Sequence, residues 1–93
     1  MIRSFRDRQT SSIWEGSRSR RLPVDIQDAA LRKLRLINAA QRLDDLRAPP
    51  GNRLEALSGD RAGQHSIRIN QQWRICFRWS EGGADDVEIC DYH

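Results

Sequence analysis

Four side chains could act together on a phosphate ester: Arg68, Arg74, Tyr92 and His93. Attack of a ribose 2′-hydroxyl on the adjacent phosphate needs a base, an acid for the leaving 5′-oxygen, and fixed positive charge around the phosphorane. Arginine supplies the charge but does not readily release a proton near neutral pH. Proton transfer then falls to Asp91, Tyr92, His93 or Glu55, of which His93 has the most suitable unperturbed pKa. The set predicts RNA cleavage without a metal.

The stretch from Gln64 to Trp79 must position the two arginines, and it alternates with a period of two residues. This pattern predicts two strands of a hairpin with one packed face and one open face lined with arginine. The packed face would hold His65, Ile67, Ile69, Trp73, Ile75, Phe77 and Trp79. The open face would hold Ser66, Arg68, Asn70, Arg74, Cys76 and Arg78.

A further strand from Asp85 to Tyr92 completes the predicted site. If Trp79 opposes Asp85, Arg74 lies opposite Cys90; if Trp79 opposes Val87, Arg74 lies opposite Tyr92. Both registers place Arg74, Cys76, Cys90 and Tyr92 on one face as near neighbours, with Arg68 on the strand before.

Simpler interpretations of these residues stay open. The arginines could form a solvated face or pair with Glu88, and Tyr-His could be an incidental tail. His65 alternates with isoleucines, which favours a packed histidine over a ligand. Cys76, Cys90 and His93 form no paired metal-ligand motif, so neighbouring reduced cysteines are favoured over a zinc site.

The rest of the chain predicts two helices before the sheet. A short helix from Asp7 to Glu15 would stop at Gly16. A longer amphipathic helix would begin at Pro23 and end near Asp44 to Leu46, before Pro49-Pro50-Gly51. Met1 to Phe5 and Asn52 to Ser58 could each add a strand. The expected fold is one α+β domain over residues 1–93, with two N-terminal helices on one face of a largely antiparallel sheet of four to five strands.

Composition narrows the class of protein. The net charge is +3, and 15 of the 16 basic residues are arginine, which favours phosphate recognition but also arises from codon bias. The loop arginines Arg18, Arg20 and Arg21 could contact an RNA backbone or be a solvated connection. We expect a cytoplasmic protein with no membrane partner, because the sequence has no signal peptide or membrane-spanning run and has two cysteines.

The run LEALSGDRAGQHSIRINQQWRICFRW, with DVEICDYH after it, resembles HigB-type toxins of the RelE/ParE superfamily, in the branch with GraT and the plasmid-maintenance killer protein. MIRSF and RAPPGNRLEAL extend the resemblance over the whole chain. It implies a RelE-like fold and the toxin of a type II toxin–antitoxin system, a ribosome-dependent mRNA endonuclease without a cofactor. It also implies a HigA-type helix-turn-helix antitoxin as the partner, and binding to operator DNA only through that antitoxin. The family's catalytic positions fall on Arg68, Arg74, Asp91, Tyr92 and His93.

The chain departs from the family pattern at Glu55 and Ser58, where many relatives have His and Lys. These two residues and Arg61 of the GDR turn are the expected RNA contacts near the catalytic positions, and the departure predicts weaker cleavage. Two other functions stay open. One is a ParE-like gyrase inhibitor, and the other is a weakened toxin that acts mainly as antitoxin partner and co-repressor.

Overall fold

The computed structural model describes residues 1–91, which form two helices packed on one face of a four-stranded antiparallel sheet. The helices are α1 (Arg8–Trp14) and α2 (Val24–Ala39). The strands, in sheet order, are β1 (Glu55–Ala56), β2 (His65–Arg68), β3 (Trp73–Ser80) and β4 (Gly83–Asp91). The predicted α+β architecture is confirmed. Within residues 1–91, no helix is both long and apolar enough to cross a membrane.

Helix α1 forms where the sequence predicts it and begins with a side-chain cap. The backbone amide of Thr10 donates a hydrogen bond of 2.9 Å to Asp7 Oδ1. Thr10 and Ile13 point into the protein, and the Thr10 hydroxyl accepts a bond from the Ile89 amide of β4. Thr10 therefore receives the cap through its amide and fixes α1 against the sheet through its hydroxyl.

We expect Asp7→Ala to lower the free energy of unfolding by about 1 kcal/mol, because an amide at the start of α1 loses its acceptor. Asp7→Asn is the matched control, since asparagine caps a helix about as well. Urea unfolding followed by circular dichroism measures both. Equal losses in the two variants would contradict a capping role.

Helix α2 ends at Ala39, before the predicted boundary at Asp44 to Leu46, so that prediction is wrong. The Asp45 carboxylate accepts hydrogen bonds of 3.0 Å from the backbone amides of Arg42 and Gln41. These bonds replace helical ones and hold the pKa of Asp45 below its usual value. The chain then forms a short 3₁₀ helix, Leu43–Arg47, which the periodicity does not reveal.

Strands β3 and β4 form a hairpin whose turn has positive φ at both Glu81 and Gly82, as a type I′ turn requires. Arg74 lies opposite Cys90, as in the first of the two predicted registers. Trp79, however, lies opposite Ala84 and not opposite Asp85 or Val87. The register shifts by one residue between Cys76 and Arg78, where a bulge places one residue of β3 opposite two residues of β4. Neither predicted register therefore holds along the whole hairpin.

The sheet edges are shorter than the sequence predicts. Residues 2–5 make only two isolated parallel bridges to β4, through Ile2 and Phe5. Strand β1 has two residues, since the segments on either side, Pro50–Asn52 and Gly59–Arg61, are 3₁₀ helices. The core lies between the helices and the sheet and includes Ile13, Ile26, Ala30, Leu34, Ile37, Ile67, Ile75, Phe77, Val87 and Ile89.

Candidate active site

The face of the sheet that turns away from the helices carries polar and thiol side chains. Because Ile67, Ile75 and Ile89 are in the core, their neighbours in each strand point to the opposite face. The register brings these neighbours together across the strands: Glu55, Ser66, Arg68, Arg74, Cys76, Glu88 and Cys90.

Arg74 is held in place from two sides. Its Nη1 forms an ion pair with Glu55 Oε1 at 2.8 Å and donates a hydrogen bond to Ser66 Oγ at 3.0 Å. Only 8% of its side chain is exposed, whereas 43% of the Glu55 side chain is. The prediction of an open arginine face is therefore wrong for Arg74, because β1 lies beside it and supplies a carboxylate.

Arg68 lies directly opposite Arg74 in the β2–β3 register. Like charges directly opposite each other destabilise a sheet unless an anion compensates them. Within residues 1–91, Arg68 Nε is buried and has no hydrogen-bond partner. The two adjacent guanidinium groups therefore suit a bound anion.

A cleft of about 170 Å³ opens beside these residues. It is lined by Glu55, Ala56, Leu57, Ser58, Arg61, Cys76, Cys90 and Asp91. Sites for whole small molecules are usually larger, roughly 300–1,000 Å³. A cleft of this size admits a small group of a ligand, and Arg74 borders it only through its partner Glu55.

Arg61 fixes one wall of the cleft to β4. Its Nη1 donates to Glu88 Oε1 at 2.8 Å and to Gln64 Oε1 at 3.0 Å. The hydrogen bond to Glu88 raises the pKa of Arg61. Arg6 also approaches Glu88, with its Nε 3.8 Å from Oε2. The ion pairs of Glu88 are thus made with Arg61 and Arg6, and not with Arg68 or Arg74 as the simpler interpretation supposes.

Cys76 and Cys90 are free thiols on the cleft side of the sheet. The interaction between the two thiols lowers the pKa of Cys76 and raises that of Cys90, which burial raises further. Cys90 Sγ donates a hydrogen bond of 3.6 Å to the Glu88 carbonyl. Cys76 is buried, in contrast to its predicted place on an open face. Within the part of the chain that the structure describes, no three His, Cys, Asp or Glu residues are grouped to hold a metal.

Other predicted site residues lie at the margin of the cleft or away from it. Ser58 is exposed at the start of the Gly59–Arg61 turn and lines the cleft. Asp91 also lines the cleft, and its carboxylate accepts a bond of 3.1 Å from Gln72 Nε2. By strand alternation the Asp91 side chain lies on the face opposite to that of Arg74.

The loop arginines belong to the helix layer, since they connect α1 to α2. Arg18 pairs with Asp28 at 3.1 Å, whereas Arg20 and Arg21 are exposed. Tyr92 and His93 lie outside the described residues. His65 is half-buried and stacks on Phe77, with ring centroids 6.5 Å apart, in line with the packed histidine that the sequence favours.

Ser66 is the site residue whose role the sequence does not reveal. It is fully buried and accepts a hydrogen bond from Arg74. Its alternation with Ile67 places it on the arginine face. Its contact with Arg74, however, crosses from β2 to β3 and depends on the register between these strands.

Comparison with known families decides the class of protein. A family described as the RelE-like toxin of type II toxin–antitoxin system HigB matches residues 3–93. The chain belongs to this family. The resemblance noted in its motifs is thereby confirmed, and as a HigB-family member it is a toxin of the type II toxin–antitoxin class.

Two curated relatives agree with this assignment, and one solved structure shares the fold. Toxin HigB-1 of Vibrio cholerae serotype O1 is 44% identical over 85 residues, which are 90% of each chain. Endoribonuclease HigB of Proteus vulgaris is 30% identical over 93 residues and covers both chains completely. The YoeB–YefM complex from Staphylococcus aureus has a chain of similar fold, with a TM-score of 0.62 at 15% identity, that covers 100% of this chain and 98% of its own length.

Proposed function

We propose that this HigB-family toxin is an endoribonuclease that cuts mRNA on the ribosome and so inhibits translation. The observation that carries the proposal is the direct cross-strand pairing of Arg68 with Arg74, in which the buried Nε of Arg68 has no hydrogen-bond partner within residues 1–91. The names of the two HigB relatives support it, because one is a toxin and the other an endoribonuclease.

The proposed chemistry is attack of the ribose 2′-hydroxyl on the neighbouring phosphate. Arg74 and Arg68 hold the phosphodiester and stabilise the negative charge that develops on its oxygens. Tyr92 and His93 follow Arg74's partner Cys90 in the chain and are the candidates for proton transfer, whereas Asp91, also expected as a catalytic residue, has its side chain on the opposite face of the sheet. Glu55, Ser58 and Arg61 line the cleft through which the RNA strand passes.

We propose a HigA-type helix-turn-helix antitoxin as the protein partner, and binding to operator DNA only through it. Membership of a toxin–antitoxin family supports an antitoxin, and the structural relative was solved as a complex of two proteins, YoeB and YefM. The cytoplasm is the compartment in which ribosomes, message and antitoxin meet. Co-purification of the chain with the helix-turn-helix protein of the adjacent reading frame tests the pairing.

Primer extension on cellular mRNA after induction of the toxin tests the activity. New 5′ ends within translated messages are expected, and they should disappear when translation initiation is blocked. Intact messages together with loss of DNA supercoiling would favour the ParE-like alternative. Intact messages without a supercoiling defect would favour the antitoxin partner and co-repressor.

The loop arginines are proposed to dock the ribosome while the sheet performs the chemistry. Because they lie in the helix layer, replacing Arg18, Arg20 and Arg21 with serine should weaken ribosome binding without altering the cleft. Loss of three phosphate contacts should also reduce the salt dependence of binding. Co-sedimentation with 70S ribosomes over a range of salt concentrations measures this, and unchanged binding at raised salt contradicts the docking role.

Ser58→Lys should increase cleavage about tenfold, because it adds a cation at the mouth of the cleft, at the position where the family resemblance implies lysine. The matched control is Ala62→Lys, which adds the same charge just beyond the Gly59–Arg61 turn. Rates are compared on ribosomes loaded with a defined message. If Ser58→Lys cuts no faster than the wild type, the absence of lysine at this position does not account for the weaker cleavage that the sequence predicts.

A further inference from the structure

We propose that Glu55 is a displaceable carboxylate: it occupies the anion position on Arg74 in the free toxin and yields it to the phosphodiester of the RNA. This inference rests on the proposed function and concerns the regulation of the same site. It assigns Glu55 the role of a competitor for the substrate phosphate, which differs from that of a general base.

The ion pair between Glu55 and Arg74 is asymmetric in burial. The guanidinium is almost wholly enclosed, whereas nearly half of the carboxylate side chain reaches solvent. A movement of Glu55 outward would therefore expose an already hydrated group, while a movement of Arg74 would cost buried contacts. Of the two partners, Glu55 is the one that can leave.

Arg74 keeps an anchor when Glu55 leaves. The buried Ser66 hydroxyl, on the neighbouring strand, accepts a hydrogen bond of 3.0 Å from Arg74 Nη1. A bond from the sheet itself keeps the guanidinium aimed at the same place. The arginine is therefore preorganised for the incoming phosphate.

Glu55 sits on the least constrained strand. Strand β1 pairs with β2 through only two residue pairs, Glu55 with Ser66 and Ala56 with His65. Short edge elements with few ladder bonds open at low free-energy cost. A shift of the Glu55 side chain or of β1 itself is therefore compatible with an intact sheet.

The charges favour the exchange of one anion for another. Arg68 and Arg74 lie at directly opposed positions of β2 and β3, and Glu55 supplies one negative charge to Arg74. A phosphodiester carries the same charge and has oxygens that can reach both guanidinium groups. In the free toxin the carboxylate weakens phosphate binding, so contacts on the ribosome must supply the missing affinity.

The test compares Glu55→Gln with Asp60→Asn, which removes one negative charge from the adjacent turn without touching Arg74. Inorganic phosphate is titrated into each full chain while the guanidinium NMR signal of Arg74 is followed. We expect about tenfold tighter phosphate binding with Glu55→Gln and less than a twofold change with Asp60→Asn. Glu55→Ala should shift affinity in the same direction. Equal effects of Glu55→Gln and Asp60→Asn, or no effect of either, overturn the proposal.

Cleavage kinetics on ribosomes give a second readout. Displacement by substrate predicts a lower KM for Glu55→Gln with kcat within about twofold of the wild type. A fall in kcat of about a hundredfold would identify Glu55 as a general base and overturn the proposal. If the wild type cuts no message, the proposed function fails, and the phosphate titration still decides the role of Glu55.

Discussion

Arg74→Ala should reduce kcat/KM for ribosome-bound message by about 10²–10³-fold or more, the usual effect of removing a preorganised donor that stabilises the transition state. Arg74 is the most constrained cation of the site, with bonds to Glu55 and Ser66 and Arg68 directly opposite. Its loss removes charge from the phosphorane and leaves the Glu55 carboxylate in place to repel the phosphate. Single-turnover cleavage on programmed ribosomes measures the effect.

Two further variants make the Arg74 experiment specific. Arg47→Ala removes the same charge from an exposed pair with Asp44 and should cut message like the wild type. Arg74→Lys keeps the charge but loses the planar fork, so its activity should lie between those of the wild type and the alanine variant. If Arg74→Ala binds ribosomes normally and cuts less than tenfold more slowly, the site is not the one described.

Phe77→Ala should have the largest effect on stability, lowering the free energy of unfolding by about 3–5 kcal/mol. Phe77 is fully buried at the centre of β3, between the rings of His65 and Trp79. The total free energy of unfolding of a small domain is about 5–15 kcal/mol, so the variant should be close to unfolding at growth temperature. Urea unfolding followed by circular dichroism checks this value.

Val24→Ala is the matched control for the core, since Val24 is 74% exposed at the start of α2. It should change stability by less than about 0.5 kcal/mol. A similar loss in Phe77→Ala and Val24→Ala would contradict the packing described for β3.

The hairpin and the arginine pair could be predicted from sequence because strand alternation is a local property. Side chains two residues apart in Gln64 to Trp79 share a face whatever the rest of the chain does. Helix α1 was predictable for the same reason, since the cap at Asp7 and the stop at Gly16 lie within a few residues of the helix. Local rules were sufficient for these elements.

The burial of Arg74 could not be predicted, because it depends on a contact between positions far apart in the chain. Glu55 reaches it from β1, and no periodic pattern in the sequence links the two residues. The bulge beside Phe77 could not be predicted either. The register between β3 and β4 depends on where the turn lies and on whether one strand carries an extra residue, and the alternation pattern gives neither. The first feature sets the burial of Arg74, and the second sets which residues of β4 lie opposite those of β3.

The two borders of the sheet limit how another polypeptide can join it. On one side, residues 2–5 lie along β4, and on the other β1 exposes a row of only two residues. An incoming chain therefore finds no long ladder of unsatisfied amide and carbonyl groups to extend. Fibril growth by edge-to-edge stacking is disfavoured at these borders, and we expect a protein partner to bind mainly through side chains, as a helix in a groove does.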